Sequence, residues 1–141
     1  LRKRENYRRA FQGFDPAKVA AYDDDDVARL MADAGIIRNQ AKIRSAINNA
    51  NVFVEHFGDD EDAFSDFLWN FVGGEPIVNQ RKTMEDITVV TDASTEMSKA
   101  LKKLGFTFIG PTTCYAMMQC AGMVDDHLVS CFCHTSNRKS S

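Results

Sequence analysis

The chain has 141 residues, a net charge of −3 and 44% hydrophobic residues, which suits one domain with a buried core. No apolar run approaches the length of a helical membrane span. The four cysteines lack the spacing of a disulfide framework, so reduced thiols and a cytosolic setting are expected.

The negative balance looks wrong for a nucleic-acid binder until it is divided along the chain. Residues 1–14 carry five Lys/Arg against one Glu, residues 97–141 carry five against two Asp, and residues 15–96 carry seven against seventeen acids. Basic ends can build a local potential that attracts phosphate while the acidic middle faces solvent.

In chain order, residues 1–11 read as the tail of a helix with Tyr7 and Phe11 inward, and no capping residue precedes it. Asp15 and Pro16 supply an N-cap and an N1 proline for a short helix through Ala21. Aspartates 23–26 open another helix ending near Asp33; they read as caps that complement its dipole rather than as metal ligands. Beyond Gly35 a long helix is predicted over 36–56, with Ile36, Ile43, Ile47, Ala50 and Val54 as its buried stripe. Arg38, Lys42 and Arg44 lie elsewhere on that helix, as a solvated face or as phosphate contacts. After an acidic loop at 58–62, Phe64, Phe67, Leu68 and Phe71 mark a core-facing helix, with Trp69 off the stripe, covering an edge or lining a cleft. Residues 80–95 read as an irregular connection.

The C-terminal third is the most informative. Met97, Ala100, Leu101 and Leu104 fall at i, i+3, i+4 and i+7, and Gly105 stands where a glycine ends such a helix. A short apolar turn, FTFI, leads to Gly110 and Pro111, which opens a second helix over 112–121. Two helices joined by a glycine-containing turn can present main-chain N–H groups to a phosphate, and Lys99, Lys102 and Lys103 add charge nearby. The same spacing also fits an ordinary helical hairpin of an all-α core. His127 and Cys131 stand four apart, a spacing suited to two ligands of a tetrahedral zinc and equally to packing. Asp125 and Asp126 precede them; Asp126 reads as a cap for a following helix or as a partner that orients His127.

Several separated blocks carry a resemblance. RKRENYRRAF at 2–11, FDPAKVAAY at 14–22, GIIRNQAKIRSAINNA at 35–50, FLWNFVGGEPIVN at 67–79 and the stretch 97–131 resemble the bacterial 3-methyladenine DNA glycosylase I family, within the helix-hairpin-helix glycosylase superfamily. The usual Leu-Pro-Gly-x-Gly hairpin of that superfamily becomes Phe106-Thr107-Phe108-Ile109-Gly110, which matches the family's own variant. The helical patterns give an all-α chain of about six helices, and the resemblance implies a single glycosylase domain over 1–141 with the helix-hairpin-helix at about 96–121, lacking the family's N-terminal segment.

It also implies the function: excision of 3-methyladenine from double-stranded alkylated DNA, by a monomer of the bacterial cytoplasm. DNA contacts are expected from Gly110, Thr112, Thr113 and Lys103. His127 and Cys131 would be half of a structural zinc site whose other Cys and His belong to the missing segment, with Cys133 or His134 as substitutes. Asp125 stands where the family usually has Asn, and is the candidate catalytic carboxylate because the wider superfamily uses an aspartate at this turn. The family's base pocket relies on a glutamate and aromatic residues of the N-terminal segment, so Glu5 and Trp69 do not take those roles. The competing expectation is a helix-hairpin-helix module that binds DNA without catalysis, or an inactive fragment of the enzyme.

Overall fold

The structure, a computed structural model, describes residues 2–58, 60 and 62–138. Expectations placed on residue 1, on residues 59 and 61 of the acidic loop and on Lys139 lie outside the described residues. Seven α-helices occur among them: α1 Arg4–Ala10, α2 Pro16–Ala20, α3 Asp24–Met31, α4 Gln40–Phe57, α5 Ala63–Trp69, α6 Asp92–Leu104 and α7 Pro111–Cys120. Two short strands, β1 Ile77–Val78 and β2 Val124–Asp125, and short 3₁₀ turns accompany them. The chain falls into two compact units, Leu1–Glu61 with Lys102–Phe108, and Asp62–Leu101 with Ile109–Ser141.

In the first unit, side-chain caps set the helix boundaries. Asp15 Oδ1 accepts from the Ala17 and Lys18 N–H groups at 3.0 and 3.3 Å, with Pro16 at N1, and so starts α2. Asp23 and Asp26 exchange a capping box at 3.1 and 3.2 Å that starts α3, while Asp24 pairs with Arg44 at 3.1 Å. The aspartate run is a helix start.

The long helix is shorter than its periodicity predicts. Asn39 is extended and its side chain accepts from Lys42 N–H at 3.1 Å, so α4 begins at Gln40 and leaves Ile36 and Arg38 outside it. Ile36 is still buried, from the loop, whereas Val54 is 40% exposed and Ser45 and Val52 take the inward positions. The core gathers Ala10, Phe11, Val19, Val27, Leu30, Ile36 and Ile43. Phe11 stacks on Tyr7, Phe14 and Tyr22, and Arg29 lies 5.4 Å from the centroid of the Tyr22 ring. Each fully buried Val, Leu, Ile or Phe of this core contributes roughly 1.5–3 kcal/mol.

In the second unit α5 continues as a 3₁₀ turn over Asn70–Val72. Leu68 is buried, while Phe64, Phe67 and Phe71 are only half-buried, and Phe67 meets Phe71 edge to face at 5.5 Å. Trp69 is half-buried. α6 begins at Asp92, earlier than the apolar spacing suggests. Thr91 and Ser94 exchange hydrogen bonds at 2.9 and 3.2 Å and supply the start that a periodicity reading overlooks. Met97 and Leu101 are fully buried as expected, joined by Ser94 and Ser98.

The sheet has no counterpart in the sequence expectations. β1 and β2 pair in parallel with Ile77 opposite Val124 and Val78 opposite Asp125. Pairs of residues this short carry no alternation to read. The helix expected after Asp126 is absent among the described residues: 126–134 runs through turns to a 3₁₀ turn at Thr135–Asn137. Asp126 therefore caps nothing, because its carboxylate is turned into the interior instead.

Candidate functional site

The first half of the hairpin turn is fastened to α4. Gly105 has φ of +113°, a left-handed conformation that favours glycine, and a Cβ there would sit 3.2 Å from a Val52 methyl. Asn48 Nδ2 donates to the Gly105 carbonyl at 3.0 Å. Asn49 accepts from the Thr107 N–H at 2.8 Å and donates to the Thr107 carbonyl at 3.0 Å. Ser45 Oγ lies 2.6 Å from Thr107 Oγ1. Lys103 is exposed in the last turn of α6. Phe108 takes φ of +54° and is 61% exposed, a costly backbone state for an aromatic residue that no sequence pattern announces.

In the second unit Gly110 precedes α7 as its N-cap, with Pro111 at N1, as the sequence predicts. Ser98 Oγ donates to the Ile109 carbonyl at 2.6 Å and holds the approach. Cys114 N–H makes the first intrahelical bond, to Gly110, so the N–H groups of Thr112 and Thr113 precede the ladder. Both threonines are exposed, and no atom comes within 4 Å of where a Gly110 side chain would begin. This is a helix start able to meet a phosphate oxygen.

β2 delivers two adjacent carboxylates to different partners. Asp126 is 7% exposed and takes hydrogen bonds from Tyr115 Oη, Asn79 Nδ2 at 2.5 Å, Arg81 Nε at 3.2 Å and Gln119 Nε2 at 3.4 Å. Burial works to raise its pKa, but the bonds from Tyr115, Asn79 and Arg81 outweigh it and hold the carboxyl below the usual range. The phenol of Tyr115 is pushed up to about 12 by burial and by its bond to the Asp126 anion.

Asp125 is 6% exposed and draws in four donors. Its Oδ1 accepts from the His127 N–H at 3.1 Å and lies 2.7 Å from His127 Nδ1. Its Oδ2 accepts from the Thr135 N–H at 2.6 Å and from the Thr135 hydroxyl. Burial again opposes ionisation, yet the Thr135 and His127 bonds prevail and hold this carboxyl far below the usual range. The carboxylate that contacts His127 is thus Asp125, one residue earlier than the sequence expectation.

His127 and Cys131 both line a cavity of about 480 Å³, with Met84, Ile87, Gln119 and Asp126 among its other walls. They sit in a turn rather than on a helix, the Cys131 N–H donating to Leu128 at 2.8 Å. The donor set suits zinc: one imidazole anchored through Nδ1 to a carboxylate, and one thiol. Among the described residues no three His, Cys, Asp or Glu side chains converge, so the pair offers two donors at most. His134 is not a spare ligand, since its Nδ1 accepts from the Ser136 N–H at 3.2 Å and its Nε2 lies 3.0 Å from the Asn79 carbonyl. Cys133 gives its N–H to Cys131 Sγ at 3.4 Å, and burial together with Cys131 pushes its own thiol up.

The helical fold around these groups is that of a DNA glycosylase. The family model for methyladenine glycosylase matches residues 1–134, and the chain belongs to that family. DNA-3-methyladenine glycosylase 1 of Escherichia coli (strain K12) is 49% identical over 138 residues, covering 98% of this chain and 73% of that protein. The DNA-3-methyladenine glycosylase of Haemophilus influenzae is 47% identical over 138 residues, covering 96% and 73%. A crystal structure of a 3-methyladenine DNA glycosylase I is similar at a TM-score of 0.90 with 46% identity, over 94% of this chain and 72% of that one. The Staphylococcus aureus 3-methyladenine DNA glycosylase I, solved to define 3-methyladenine recognition, is similar at 0.87 with 35% identity, over 99% and 72%.

Proposed function

We propose that the chain works as a DNA-3-methyladenine glycosylase, hydrolysing the N-glycosidic bond of 3-methyladenine in double-stranded alkylated DNA as a monomer of the bacterial cytoplasm. The match to methyladenine glycosylases along residues 1–134 carries this reading. Four cysteines without the spacing of a disulfide framework support the cytoplasmic setting.

The reacting carbon is inaccessible inside the base stack, so the nucleotide must be turned out of the duplex. Gly110 and the N–H groups of Thr112 and Thr113 grip the backbone, and Lys103 of the other unit is a separate candidate contact; such contacts position DNA without reading its sequence. Methylation makes the base cationic and a good leaving group, which lowers the demand for acid assistance. Asp125 is the candidate carboxylate for the sugar. Because both its oxygens accept donors of this chain, its charge acts on the developing oxocarbenium as a field rather than by contact. His127 and Cys131 would hold a zinc as half of a structural clasp, fixing the turn rather than joining the reaction. The span 1–141 is read as one functional domain.

The test is release of free 3-methyladenine from methylated duplex DNA, with single-stranded methylated DNA and unmethylated duplex as comparisons. Release from the methylated duplex above both supports the reading. Tight binding to DNA with every base retained would favour a non-catalytic binding module.

A further inference from the structure

We infer that Asp125 is the positioning residue of His127: it fixes the imidazole as the Nδ1–H tautomer and leaves Nε2 as the nitrogen free to bind a ligand. The chemistry is one of acceptors and donors. An ionised carboxylate can only accept, so the 2.7 Å contact requires the proton on Nδ1. A neutral imidazole has a single N–H, which places the lone pair on Nε2.

The carboxylate cannot turn away from this task. Its backbone is paired with Val78 in the sheet, and its second oxygen is held by the N–H and hydroxyl of Thr135. The same side chain therefore ties the His127 turn to the segment that follows Cys131. In this chain both carboxylate oxygens are used, whereas an asparagine would present one acceptor oxygen and one NH₂ group to the same four donors. The use made of Nε2 rests on the zinc reading above, whereas the tautomer does not.

The test reads the His127 ring nitrogens by long-range ¹⁵N–¹H NMR on metal-free protein, at a pH where the imidazole is neutral. Asp125→Asn and Thr135→Val are compared with the wild type, and Co²⁺ is then titrated as a thiolate-reporting probe. The expected result is Nδ1–H in the wild type and in Thr135→Val, and a shift toward Nε2–H in Asp125→Asn. Co²⁺ affinity should fall about tenfold to a hundredfold in Asp125→Asn. An Nε2–H ring in the folded wild type overturns the inference even if Asp125→Asn does not fold, and so does an unchanged tautomer in a folded Asp125→Asn. A tautomer shift with no cobalt–thiolate band in the wild type upholds the inference and removes the zinc reading instead.

Discussion

The side-chain amide of Asn49 closes both backbone groups of Thr107, receiving its N–H at 2.8 Å and giving an N–H to its carbonyl at 3.0 Å. A residue in the middle of α4 thereby substitutes for the strand partner that a turn peptide would otherwise lack. Asn49→Ala removes both bonds and should lower stability by about 1–2 kcal/mol, with Asn49→Asp losing the donated half. Urea unfolding of the three proteins checks this, and an unchanged midpoint would show that water replaces the amide without loss.

Gly110 offers a cleaner separation of folding from DNA grip. Its φ of −78° is ordinary for any residue, and a Cβ would enter open space. Gly110→Ala should therefore leave folding intact, while Gly110→Asp places a negative charge where a phosphate would come. Repulsion on the order of 1 kcal/mol at a few ångströms in water corresponds to roughly fivefold weaker binding, independent of sequence. Fluorescence anisotropy with two unrelated duplexes would reveal it, and equal affinity for all three proteins would exclude this helix start as a DNA contact.

Tyr115 makes stability fall on the alkaline side. Its folded pKa, about 12, lies above the ordinary phenol value, so the folded state holds the proton more tightly than the unfolded chain. That contribution is fully present below about pH 10 and is lost as pH rises from about 10 to 12, by on the order of 2 kcal/mol. Tyr115→Phe should abolish this decline. Denaturant melts across the window distinguish the two, and parallel curves would show that Tyr115 titrates normally.

Asp126 acts in the opposite direction. Its depressed pKa stabilises the fold above the ordinary carboxylate range of about 4, and that part is lost as pH falls below it. Asp126→Ala strands Tyr115 and Arg81 without their acceptor and should cost about 3 kcal/mol at neutral pH. Thermal unfolding at neutral pH measures it; a cost under about 1 kcal/mol would mean that water fills the site.

Much of the fold was legible because capping and helical periodicity are local. Asp15, Asp23, Gly105 and Pro111 mark boundaries that the structure keeps. The long helix was overextended because Ile36 is buried from a loop, and an apolar residue gives the same signal in either place. The pairing of residues 77–78 with 124–125, the fastening of Thr107 by Asn49 and the Thr135 bonds to Asp125 join positions far apart in sequence. No local pattern encodes such contacts. The His127 and Cys131 pair could be picked out by spacing, but the carboxylate that orients His127 could not, since adjacent aspartates look alike until the sheet sends one to His127 and the other to Tyr115.

The most direct measurement of the central claim joins this chain to the part of the Escherichia coli relative that lies outside the match, since the chain covers 73% of that protein. The chimera is incubated with methylated duplex DNA, and the released bases are separated and counted. If the chain is a 3-methyladenine glycosylase, the chimera releases 3-methyladenine in amounts that rise with time and leaves abasic sites in equal number. A folded chimera that binds the same DNA but releases no base would contradict it.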